Sequence, residues 1–149
     1  MGNGRCGMST LTLAIPAPCK PINSNHRLNT YVKAERTRLW RARAQVAAIQ
    51  AGKPRFERAH VRAIVGYPTA RSYDAGNFYP TAKACLDGIV SAGCLTDDSN
   101  EYVVGPDMRE GDKAPVFTLT ITLNPDCECL DCSHRFGPRL RLITKGASH

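Results

Sequence analysis

The segment "APVFTLTITLNP" (residues 114–125) alternates strictly, with Phe117, Leu119, Ile121 and Leu123 two residues apart. Side chains separated by two positions share a face only on an extended strand, so this segment predicts a β-strand with one buried face. Two further stretches carry strand signatures, "TLTLAI" (10–15) and "RAHVRAIVGYP" (58–68), and "EYVVGPDM" (101–108) reads as a shorter one. "RLRLIT" (139–144) is a candidate last strand.

Two segments between these strands have helical character. Residues 30–51, "TYVKAERTRLWRARAQVAAIQA", are rich in helix formers and place Leu39, Val46 and Ile49 near one face, with basic side chains on the others. Gly52 and Pro54 stop that helix. A second helix starts at Pro80, turns Ala84, Cys85 or Leu86, Ile89 and Val90 toward a core, and ends at Gly93. The order of elements predicts an α+β single domain: a mixed β-sheet with two main helices packed on it. Residues 1–9 read as a flexible leader, 10–149 as the domain, and 125–138 as a Cys/His-rich loop within it.

At 149 residues the chain is long enough to bury a core without staples. Twenty Lys and Arg against thirteen Asp and Glu give a formal charge of +7, a field that attracts polyanions. Seven cysteines cannot all pair within one chain, no signal segment opens it, and no apolar run reaches the roughly 20 residues of a membrane helix. The expected setting is a reducing cytoplasm.

Against this basic background, "YDAGNFYPTAKACLDGIVSAGCLTDD" (73–98) gathers acids. Asp74 follows a strand, and Asp97 and Asp98 follow the helix that carries Lys83 and Asp87. Hard divalent cations such as Mg²⁺ take carboxylate oxygens, and phosphodiester hydrolysis uses such an ion to activate water. Acids in loops also cap turns, and that role is open for each of them. The chain has no Gly-x-Ser-x-Gly elbow, phosphate-cradling glycine loop or His-Glu-x-x-His pair.

The order of motifs resembles the RusA family of Holliday junction resolvases. Its pattern of a basic loop, Asp-x-Asp-Asn, a helix with Lys and Asp, Ala-Gly and Asp-Asp is matched by Arg71, Asp74 with Asn77, Lys83 and Asp87, Ala92-Gly93, and Asp97-Asp98. "LTLAIPAPCKPINSNHR" is similar to the family's first strand and Ser-Asn loop, and the likeness covers roughly residues 10–123. The resemblance implies a homodimeric Mg²⁺-dependent endodeoxyribonuclease, with Mn²⁺ as a substitute, that nicks four-way junction DNA symmetrically in recombination and repair, as phage enzymes do. It implies Asp74, Asp97, Asp98 and Lys83 as catalytic residues, with Asp74, Asp98, Asp97 and Asn77 as metal ligands. Arg71, Lys83, Arg36 and Arg41 would meet DNA, a solvated helix surface being the alternative for the arginines of the first helix. Phe78 and Tyr79 would wedge between unstacked bases, or else pack beneath the loop. No membrane and no small-molecule substrate is expected. Gly76 stands where the family has a second aspartate, so a non-catalytic junction- or nucleic-acid-binding protein is the alternative.

Finally, "CECLDCSH" places Cys127, Cys129, Cys132 and His134 within eight residues. Thiolates and imidazole suit a structural Zn²⁺, with free surface thiols as the alternative. Trp40, Cys85 and Cys94 are expected in the core.

Overall fold

The computed structural model describes residues 10–69 and 72–137. The leader, Arg71 and the candidate strand at 139–144 lie outside the described residues. Four strands, β1 (Leu11–Pro16), β2 (Ala59–Gly66), β3 (Val103–Glu110) and β4 (Thr118–Asn124), form one sheet in the order β1-β4-β2-β3. β4 runs antiparallel to β1 and β2, whereas β2 and β3 are parallel. Helices α1 (Thr30–Gln50) and α2 (Tyr79–Ser91) accompany this mixed sheet, which is the α+β arrangement expected. No helix among the described residues is long and apolar enough to cross a membrane.

The alternation in β4 is realised: Leu119, Ile121 and Leu123 are fully buried and Phe117 nearly so. Ala59, Val61, Ala63 and Val65 of β2 join the same core, as do Trp40, Ala44 and Ala48 of α1 and Ala82, Ala84, Leu86 and Ile89 of α2. One sheet face therefore carries the main core, and the alternate residues of β2, among them His60 and Arg62, face away from it.

The buried stripe of α1 differs from the expected one. Val46 and Ile49 are each 47% exposed, while Trp40, Ala44 and Ala48 turn inward. The reason lies in α2, where a Cβ added at Gly88 would overlap the carbonyl oxygen of Arg41. The two backbones approach so closely that only small residues fit the contact, and that steric demand overrides the pull of larger apolar side chains. Trp40 fills the end of the seam, its ring edge-on to Phe117 at 5.9 Å and its Nε1 donating to the Lys20 carbonyl.

α1 is started by Asn29, whose side chain accepts from the Val32 amide at 2.8 Å, and it stops at Gly52, where φ is +96°. Residues 125–138 are not wholly loop, because Leu130–Phe136 forms a third helix, α3.

Candidate functional site

The loop leaving β2 is anchored by packing. Tyr73 donates its hydroxyl to the Val65 carbonyl, and Tyr67, Tyr73, Phe78 and Phe117 form an aromatic cluster with centroids 4.9 to 6.5 Å apart. Asp74 then caps a short 3₁₀ turn, Ala75–Phe78, its Oδ1 accepting the Gly76 amide at 3.0 Å. The turn runs directly into α2, which places exposed Asp74 at the head of the Lys83 helix. Phe78 is 3% exposed and packed in the aromatic cluster, so it cannot serve as a base wedge; Tyr79, 43% exposed, is free to meet a ligand.

The Ser-Asn loop meets this turn. The Ser24 amide donates to the Asn77 carbonyl at 2.8 Å, while Thr81 Oγ1 accepts from the Ile22 amide and donates to the Ile22 carbonyl, both at 2.8 Å. Thr81 is fully buried, so its two bonds tie Ile22 to the start of α2 in a dry setting, and the bond from exposed Ser24 extends the tie at the surface.

Lys83 and Asp87 lie one helical turn apart, with Nζ 3.3 Å from the Asp87 carboxylate, and the same ammonium pairs with Asp98. Asp98 is carried there by the loop after α2, which Arg55 braces through the Gly93 carbonyl and Thr96 Oγ1 and which the Phe56 amide bonds at the Cys94 carbonyl. Hydrogen bonding from Lys83 holds the Asp98 carboxyl below its usual range. Burial pushes Asp87 up, with the neighbouring Asp98 adding to the rise. Burial pulls Lys83 down, but its bonds and charges with Asp98 and Asp87 outweigh this and leave its pKa raised.

Among the described residues, Asp74, Asp87, Asp97 and Asp98 supply no group of three placed to hold a metal ion. The group among the described residues that could hold one is His60, Cys127, Cys129 and Cys132, whose ligand atoms all lie within 4.8 Å of one another. His134 is exposed on α3 and is not part of it, which corrects the fourth ligand expected from the "CECLDCSH" run. His60 was not singled out in the sequence because it lies 67 residues from Cys127 along the chain. Its one signal is parity, since it falls between the inward positions 59 and 61 of an alternating strand.

Of the arginines expected on DNA, Arg36 is half-buried and donates to the Pro21 carbonyl, and Arg41 donates to Ser91 Oγ. Lys33, Arg38 and Arg41 line one open hollow of about 390 Å³ along α1, with Arg38 paired to Glu35. A second cleft, about 520 Å³, opens at the C-terminal ends of β2 and β3 and is lined by Tyr67, Tyr73, Glu110 and Asp112 among others. Glu110 and Asp112 had no motif to mark them.

No protein-family model matches the chain, and no curated protein does.

Proposed function

We propose that this chain is a Mg²⁺-dependent endodeoxyribonuclease of the RusA kind, acting as a homodimer on four-way DNA junctions and cutting them by paired symmetric nicks. The observation that carries the reading is the meeting of Lys83, Asp87 and Asp98 around one ammonium, at the side of the helix headed by Asp74. Three separate pieces of the motif thus fall on one helix and the loop that returns to it. The Ser24–Asn77 bond adds the fourth piece, the Ser-Asn loop.

Mg²⁺ is commonly held by one or two carboxylates, with waters and substrate phosphate oxygens completing its shell, so the absence of a tight carboxylate trio is compatible with it. Asp74 and Asp98 would hold the ion, with Asp97 and Asn77 as further oxygen donors and Mn²⁺ as a substitute. When bound, the ion supplies an activated water and charge stabilisation at the leaving oxygen. Lys83 keeps a positive charge beside the phosphate being cut, and the hydrogen bonds it donates to the Asp87 and Asp98 carboxylates orient its ammonium. The +7 net charge and the stripe of Lys33, Arg38 and Arg41 supply phosphate contacts that follow backbone shape.

A second reading, a junction-binding protein without catalysis, is favoured by Gly76 and by the lack of three carboxylates in mutual reach. Incubating a synthetic four-way junction with the protein and Mg²⁺, beside Asp74→Asn, Asp98→Asn and a linear duplex, separates the two. Junction-selective nicks lost in both variants support the nuclease; tight binding with no nicks in Mg²⁺ or Mn²⁺ supports the second reading.

A further inference from the structure

The face of the sheet turned away from α1 and α2 carries a second buried centre. His60 is 7% exposed and Cys132 2%, although His60 points away from the main core. What covers them is the chain leaving β4. Asn124 pairs with His60 across the β2–β4 ladder, its side chain accepts the Asp126 amide at 3.0 Å, and the backbone then turns back over the imidazole. Within a few residues it delivers Cys127, Cys129 and, from the first turn of α3, Cys132.

All three sulfurs converge on one atom. His60 Nδ1 lies 3.2 Å from Cys127 Sγ, 3.5 Å from Cys129 Sγ and 3.3 Å from Cys132 Sγ. The other ring nitrogen, Nε2, is held by the Asp107 carboxylate. A carboxylate accepts, so Nε2 carries the proton and Nδ1 presents a lone pair. One lone pair can accept one thiol proton, so a hydrogen bond to the ring accounts for one sulfur's approach to Nδ1 and not for that of the other two. A tetrahedral ion explains all four atoms: with Zn–S about 2.3 Å and Zn–N about 2.0 Å, the nitrogen-to-sulfur edge is roughly 3.5 Å.

The strand irregularity completes the arrangement. β3 pairs Val104 with His60 but Asp107 with Arg62, so one extra residue of β3 is taken up between them. That bulge moves Asp107 onto the face shared by His60 and Arg62; in regular register Pro106 would stand there. A carboxylate on the distal nitrogen of a ligating histidine orients the ring and strengthens it as a ligand.

We infer that His60, Cys127, Cys129 and Cys132 bind one structural Zn²⁺, with Asp107 as the carboxylate that orients His60. Four protein ligands close the coordination shell, which assigns the ion to folding rather than to chemistry. Its work is to fasten residues 124–137 to the outer face of β2 and β3, helped by Arg135 on the Val103 carbonyl at 3.0 Å and Arg58 over the Phe136 ring at 5.6 Å. His60 lies near the start of β2 while the Asp74 loop leaves its end, so the inference stands apart from the nuclease reading.

The test is the metal content of the purified full chain, by elemental mass spectrometry, with Co²⁺ replacement as a spectroscopic probe. The expected result is one zinc per chain and, with Co²⁺, the intense visible bands of a tetrahedral thiolate site. His60→Ala and Cys132→Ser are expected to lose the ion and His134→Ala to keep it. Asp107→Asn, at a half-buried position that leaves the four ligands in place, is expected to weaken zinc about 10- to 100-fold against a chromophoric chelator. A wild-type protein with only trace zinc and no Co²⁺ uptake, iron in place of zinc, or zinc retained by His60→Ala overturns the inference. Unchanged affinity in Asp107→Asn overturns the part assigned to Asp107.

Discussion

The ammonium of Lys83 joins Asp87, one turn further along its own helix, to Asp98 on the loop that follows. Asp98 sits below its ordinary pKa, so its contribution to stability is complete above about pH 4 and is lost as pH falls through its lowered folded value. Asp87 is shifted upward, and its contribution runs the other way, being lost as pH rises through its raised value.

Lys83→Gln removes the shared cation and leaves two neighbouring carboxylates. The variant is expected to be less stable than the parent by about 1 kcal/mol or less at neutral pH, because all three groups are partly solvated. The difference is expected to shrink as the pH falls below about 4 and Asp98 protonates through its lowered value. Thermal melts of both proteins across this pH range check the trend; an equal gap at every pH contradicts it.

Phe78 and Tyr79 are neighbours with opposite duties. Phe78→Ala deletes the centre of an aromatic cluster and is expected to cost about 3–5 kcal/mol in denaturant titrations. Tyr79→Ala is expected to stay within about 0.5 kcal/mol of the parent and to weaken binding of a four-way junction. Loss of junction affinity in Phe78→Ala without loss of stability would return Phe78 to the DNA surface.

The helix crossing rests on Gly88. Gly88→Ala sets a methyl group against the Arg41 carbonyl and is expected to destabilise the fold by about 1–3 kcal/mol, although alanine is the better helix former. Chemical denaturation measures this directly, and a neutral or stabilising substitution would show that the helices can separate without cost.

At Gly76 a Cβ would lie 3.3 Å from Asp74 Oδ1, close enough to nudge that carboxylate out of its turn with the Gly76 amide. Gly76→Asp therefore adds an acid and loosens its neighbour at once. On the nuclease reading the variant is expected to nick junctions several-fold faster at limiting Mg²⁺, where ligand count matters most. A rate equal to or below the parent's would mean that the existing oxygens suffice.

The fold was legible where one physical demand acted alone. In β4 the alternation of Leu119, Ile121 and Leu123 could be satisfied only by a strand with one buried face, and the stop of α1 at Gly52 follows from local backbone needs. The buried stripe of α1 was misread because it is set by the approach of another helix at Gly88, a constraint that has no signature within residues 30–51. The same holds at the metal cluster: three cysteines announce themselves by spacing, but the fourth ligand, His60, is delivered by strand pairing with Asn124, and Asp107 by a bulge. Phe78 was open between two roles in the sequence, and its aromatic neighbours, Tyr67 and Tyr73 from the loop leaving β2 with Phe117 from just before β4, decide for packing.

The most direct measurement of the central claim is incubation of a supercoiled plasmid carrying an extruded cruciform with the protein and Mg²⁺. Two coordinated cuts within one bound complex turn such a plasmid into a linear molecule, and the account predicts linear product with ends mapping to opposed strands at the branch. Persistent binding to the cruciform with the plasmid left supercoiled, in Mg²⁺ and in Mn²⁺ alike, would contradict it.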